Sequence, residues 1–73
     1  MTVSEALREV EDYVDRLVLA DIRRASILHG KGTGALRDAV RDYLASCAVV
    51  ESYAAAPPAE GGDGVTVFQL AGN

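Results

Sequence analysis

Tryptophan is absent from this sequence, phenylalanine occurs once and tyrosine three times. The core must therefore be built from Val, Leu, Ile and Ala. Cysteine also occurs once, as Cys47, so no disulfide can form within the chain. Its thiol reads as a small core residue. No apolar run approaches the roughly 20 residues that cross a bilayer. The opening Met1-Thr-Val-Ser-Glu5 lacks the basic-then-apolar pattern of a secretory signal. These absences point to the cytoplasm and to no membrane partner. There is a single histidine, with no carboxylate at ligand spacing beside it, which argues against a metal site. The 73 residues suffice for one domain with a marginal core.

The net charge of −4 argues, taken whole, against a nucleic-acid partner. The charges are unevenly placed, however. Glu5, Glu9, Glu11, Asp12 and Asp15 lie early, whereas Arg23, Arg24, Lys31, Arg37 and Arg41 fall in the middle. Local potential decides where a polyanion docks, so the middle of the chain is favourable for one.

Thr2 and Glu5 have the spacing of a capping box. Behind them Val3, Leu7, Val10, Val14, Leu17 and Val18 recur at three- and four-residue steps, which predicts a helix to about Ala20. Its other face is acidic and reads as solvated surface. The short run Ala25–Leu28 ends in glycines and predicts a buried strand. Thr33 is a good N-cap residue, and Leu36, Val40, Tyr43 and Leu44 mark a second helix over Gly34–Ser46. A third segment, about Val49–Ala55, reads as a strand stopped by Pro57-Pro58. After a glycine-rich turn, Val65–Leu70 alternates as a last strand, and the two can form an antiparallel hairpin. The order helix–strand–loop–helix belongs to parallel α/β units, which normally have a strand before the first helix. None is present here, so the sheet has three strands or the chain is a fragment.

The segment His29-Gly-Lys-Gly-Thr-Gly34 falls at the carboxyl end of a strand, where open α/β proteins place their sites. Its glycines allow close backbone approach to a ligand. The amides of Gly34, Ala35 and Leu36 lack intrahelical partners at the positive end of the helix dipole, and Lys31 adds a full charge. Together these describe an anion site for phosphate, though not a P-loop or a dinucleotide fingerprint. Imidazole suits proton transfer to or from a phosphodiester oxygen, so His29 and Lys31 are the candidate catalytic residues. Gly30, Gly32, Thr33, Gly34, Arg37, Arg41 and Arg24 are candidate nucleic-acid contacts. Arg37 and Arg41 either grip neighbouring phosphates or pair with Asp38 and other acids.

At these residues the sequence resembles the Smr (small MutS-related) domain. The likeness runs through His29–Gly34, Ala35-Leu-Arg37, Val40-Arg-Asp-Tyr-Leu44, Ala56-Pro-Pro58 and Gly61-Gly-Asp-Gly-Val-Thr-Val67. It is greatest to the C-terminal Smr domain of bacterial MutS paralogues outside mismatch repair. The resemblance implies a β-α-β-α-β-β, two-layer α/β fold with a mixed sheet and two helices, like the C-terminal domain of translation initiation factor three. It implies a nicking endonuclease module acting on DNA in recombination control. The alternative is a non-catalytic anchor on nucleic acid or ribosome within a larger ATPase. DNA is the expected partner, with RNA or the ribosome as others. No cofactor is expected in the chain itself, and cleavage leaves room for a divalent metal such as magnesium. The family opens with a strand bearing Leu-Asp-Leu-His or Leu-Asp-Leu-Arg and then Gly, which this chain lacks. It is therefore expected to be an N-terminally truncated Smr-like domain (α-β-α-β-β) holding at most part of the active site. Its unpaired sheet edge, along Ala25–Leu28, is then open to pairing as a homodimer.

Overall fold

In the computed structural model, which describes residues 2–72, the capping box at the chain start forms as its spacing predicts. Thr2 Oγ1 accepts from the Glu5 amide and Glu5 Oε1 accepts from the Thr2 amide, both at 3.1 Å. The hydrogen bonds from Thr2 hold the Glu5 carboxyl below its ordinary range. Helix α1 then runs over Val3–Leu19. Its inward residues are Ala6, Val10, Val14 and Leu17. Val18, one step round the helix from Leu17, turns outward, and Val3 at the helix start is also exposed. The helix closes through Asp21, whose φ of 58° is left-handed. The Asp21 amide donates to Val18 O at 3.1 Å and the Ile22 amide to Leu17 O at 2.9 Å, the two bonds of a Schellman closure.

Strand β1 (Arg24–Leu28), helix α2 (Ala35–Ser46), strand β2 (Val50–Ala55) and strand β3 (Val65–Leu70) follow, with two short 3₁₀ turns at Pro58–Glu60 and Gly62–Gly64. The sheet order is β1-β3-β2, and β3 is antiparallel to both neighbours. The β1-α2-β2 pair therefore keeps a common strand direction, and the last strand of the sequence is inserted between them. The β2–β3 pairing is the antiparallel hairpin expected from the sequence, with an irregularity between Val50 and Ser52.

Both helices cover one face of the sheet. Val10, Val14 and Leu17 of α1, Val40 and Leu44 of α2, and Phe68 and Leu70 of β3 form the core. Each such fully buried aliphatic side chain contributes about 2 kcal/mol. Tyr13 meets Phe68 edge-on, with centroids 6.3 Å apart, and Cys47 packs against the cluster as a half-buried residue. The alternation of β3 is as read, with Thr66, Phe68 and Leu70 inward.

Strand β1 is not the buried strand its composition predicts. It lies at the sheet edge, and only Ala25 and Ile27 turn toward the helices. Leu28 stays 80% exposed, because among the described residues no element covers the opposite face of the sheet.

Candidate functional site

Strand β1 delivers the chain into the loop 29–34, and the register Leu28↔Val65 brings a second loop alongside. The amides of His29 and Gly30 donate to the carbonyl of Gly64, at 3.1 and 2.9 Å. The two loops approach so closely that a Cβ on Gly64 would stand 3.3 Å from Lys31 Cγ and 3.5 Å from the Gly30 carbonyl carbon. The site is thus built from two loops far apart in the sequence. The first loop, with Leu36 and Arg37, lines a hollow of about 190 Å³.

Thr33 does not cap α2. The N-cap is Gly34, in the left-handed region at φ 87°, and no side chain completes the cap. A side chain at Gly34 would collide with the Arg37 guanidinium, 2.7 Å from its Nη2. Thr33 stands one residue earlier, where its hydroxyl reaches only the Ala35 amide at 3.4 Å. The helix begins a residue later than expected, because the loop needs one more left-handed turn. Among the described residues the amides of Gly34, Leu36 and Arg37 have no hydrogen-bond acceptor within the protein. An open helix N-terminus of this kind favours an anion.

The arginines are committed internally. Arg37 Nε donates to Asp38 Oδ1 at 3.0 Å, and Arg37 Nη1 pairs closely with Asp63 Oδ2. Asp38 and then Asp63 raise the Arg37 pKa above its ordinary value. Arg41 Nη2 lies 3.2 Å from Asp63 Oδ1. This buried nitrogen is ion-paired but has no hydrogen-bond partner among the described residues. Asp63 lies below the usual carboxylate range, held there by Arg37 and then Arg41. Among the described residues Lys31 makes no ion pair. It is the loop's uncommitted cation.

His29 projects between the loops. Its Nδ1 lies 2.9 Å from the Gly30 carbonyl oxygen and its Nε2 lies 2.7 Å from Thr66 Oγ1. Arg41 Nε donates to the same Thr66 oxygen at 3.0 Å. The structure therefore gathers His29, Lys31, Gly30, Gly32, Thr33, Gly34, Arg37 and Arg41 at one end of the sheet. Arg24 stands apart. It opens β1 opposite Gln69, about 16 Å of extended chain from His29, on the uncovered sheet face with Ser26 and Ser52. Asp63 and Thr66 are site residues that reading the loop alone misses. Their signal lies in Gly61-Gly-Asp-Gly-Val-Thr66, an acid in a turn followed by a polar residue at an inward strand position.

No three His, Cys, Asp or Glu side chains cluster about one point among the described residues. The two carboxylates beside the loop, Asp38 and Asp63, are both bound to arginine. These side chains do not fit a resident metal ion. No helix is long and apolar enough to cross a membrane among the described residues.

Comparison with known proteins agrees with this arrangement. The family model of the Smr domain matches residues 1–71. The chain is 50% identical over 70 residues to Endonuclease MutS2 of Thermus thermophilus, covering 96% of this chain and 9% of that protein. It is 51% identical over 65 residues to Endonuclease MutS2 of Bacillus cytotoxicus, covering 89% and 8%. The chain thus spans less than a tenth of the length of these relatives. Among solved structures, the Smr domain of Thermus thermophilus MutS2 superposes with a TM-score of 0.94 at 49% identity, over 97% of this chain and 89% of that one. YdaL, a stand-alone small MutS-related protein from Escherichia coli, superposes with a TM-score of 0.80 at 28% identity, over 96% and 58%. With the family model matched across both loops that meet at His29, the chain belongs to the Smr domain family.

Proposed function

We propose that this chain is the nucleic-acid-handling module of a MutS-related nuclease and nicks one strand of DNA, a reading that also admits a role in recombination control. The observation that carries it is the loop 29–34, where one histidine and the uncommitted Lys31 stand beside the open N-terminus of α2. The names of the relatives, which are endonucleases, support it.

In this reading the scissile phosphate sits over the α2 N-terminus. The free amides and Lys31 bind its oxygens and oppose the charge that develops as the phosphorus is attacked. A water oxygen forms the new bond to phosphorus and releases one proton to solvent, while the bond to the leaving strand breaks and the departing oxygen takes up a proton from solvent. His29 acts at the same phosphate. Incubation with supercoiled plasmid tests this. Conversion to the nicked circle is expected, and His29→Ala should slow it by about 100-fold or more. Lys31→Ala should weaken DNA binding evenly across sequences and flatten its salt dependence by about one unit. Nicking by His29→Ala at the parent rate would overturn the reading.

A non-catalytic anchor on DNA, RNA or the ribosome is the second reading. It draws on the fact that both ring nitrogens of His29 are already held within the protein. Salt-dependent binding without any cleavage would favour it.

A further inference from the structure

The two partners of His29 fix where its proton sits. A carbonyl oxygen can only accept, so Nδ1, 2.9 Å from Gly30 O, carries the hydrogen. A second line of reasoning starts from Arg41. Its Nε can only donate, and it points at Thr66 Oγ1. The single hydroxyl hydrogen of Thr66 is then left for His29 Nε2 at 2.7 Å. Thr66 is wholly buried, with no exposed surface. Among the described residues no other side-chain acceptor lies within its reach, so only a lone pair on Nε2 satisfies that hydroxyl. Both lines reach the same neutral tautomer, Nδ1–H with a bare Nε2, from donors and acceptors alone.

The consequence is chemical. A general base needs an available lone pair. The Nε2 lone pair is bound to a buried hydroxyl, and Nδ1 has none while it carries hydrogen. Nδ1–H has as its partner an exposed carbonyl of the loop itself, which a phosphate oxygen can replace. We infer that Thr66, backed by Arg41, is a positioning residue that locks His29 as a hydrogen-bond donor. His29 then meets the phosphodiester through Nδ1–H and does not act as a base. The proton remains on Nδ1 throughout, and no bond to hydrogen is made or broken at the ring. The donor stabilises negative charge on a non-bridging phosphate oxygen, as a preformed oxyanion contact does. This role for a neutral imidazole rests on the nuclease reading above, whereas the tautomer and its control by Thr66 do not.

The chain contains one histidine, so its ring signals need no assignment. Long-range proton–nitrogen NMR of the nitrogen-15-labelled chain, in mildly alkaline buffer, should show a protonated Nδ1 and a bare Nε2. Thr66→Ser should keep that pattern. Thr66→Val leaves the Gly30 carbonyl as the one remaining constraint and should let an Nε2–H population appear beside the Nδ1–H form. Addition of a short DNA duplex should shift the Nδ1 signal and leave Nε2 in place. In the plasmid assay Thr66→Val should nick about tenfold more slowly, with rescue by Thr66→Ser. A parent ring found as Nε2–H overturns the inference without any variant, as does a duplex that shifts Nε2 and not Nδ1. A parent that nicks with an Nε2–H ring defeats the inference and leaves the nuclease reading standing. A parent with the Nδ1–H ring and the duplex response, but no nicking, supports the inference and defeats the nuclease reading.

Discussion

Replacing Asp63 with Asn removes the one carboxylate that Arg37 and Arg41 share. A nucleic-acid phosphate would seek the same two guanidiniums, so in the parent it must compete with Asp63. In Asp63→Asn, Arg41 loses the only ion pair it makes among the described residues, whereas Arg37 keeps Asp38 at 3.0 Å. Between one and two further phosphates can then be neutralised. Each steepens the dependence of log affinity on log salt by about 0.9 for duplex DNA. The variant slope should be steeper by about 0.9 to 1.8. Between about 50 and about 200 mM salt, its affinity should therefore fall about 3.5- to 12-fold further than the parent's. Fluorescence anisotropy of a labelled duplex at stepped salt reads this directly, and circular dichroism checks that the variant is folded. Tighter binding at low salt should accompany the steeper slope. An unchanged or shallower slope would mean that Asp63 presents the arginines to phosphate, and the competition argument would fail.

Asp21 closes α1 at φ 58°, a conformation that costs a residue with a Cβ about 1 kcal/mol. Asp21→Gly should therefore raise the melting temperature by about 4–8 °C, and a lower one would contradict the assignment of strain. Burial, then the Cys47 thiol and the carboxylates of Glu11 and Asp15, push the Tyr43 hydroxyl up to about 12. Because this lies above the value near 10 of an unfolded tyrosine, the contribution of Tyr43 is complete below about pH 10 and is lost as pH rises through about 12. Chemical denaturation across that window should show a loss of stability in the parent that Tyr43→Phe lacks, and equal losses would refute it. Among the described residues β1 pairs only with β3, and Leu28 is 80% exposed beside the open edge. Sedimentation velocity at high concentration should show self-association that Leu28→Lys abolishes, and a monomer throughout would exclude edge pairing.

What the sequence made legible was local. The capping box of Thr2 and Glu5, the buried stripes of both helices and the inward face of β3 each follow from spacings of a few residues. Those spacings set which side chains share a face whatever surrounds them. What depends on the sheet was not legible in the same way. That β3 lies between β1 and β2 is a fact about pairing between residues far apart in the chain, as Leu28 with Val65 and Arg24 with Gln69, and alternation within β3 is the same at an edge or in the middle. The exposure of Leu28 follows from that topology: at an edge, with helices on one side only, an apolar composition does not bury a strand.

The site divides along the same line. The loop 29–34 announces itself through its glycines and Lys31, because close approach and positive charge are properties of those residues alone. Its control does not. Thr66 and His29 are 37 positions apart, and their 2.7 Å contact exists only through the register that sets Leu28 against Val65. Yet the need for such a contact can be read from the strand. A threonine that shares the inward face with Phe68 and Leu70 must find partners for its hydroxyl. Polar groups can reach that position only where the sheet ends and the loops begin. Arg41, one turn beyond Arg37 on α2, and His29, at the end of β1, are the groups placed there. The demand of a buried hydroxyl and the supply of a histidine and an arginine at the same end of the fold thus define one network. The loop 29–34 is its exposed end, and Thr66 is its buried one.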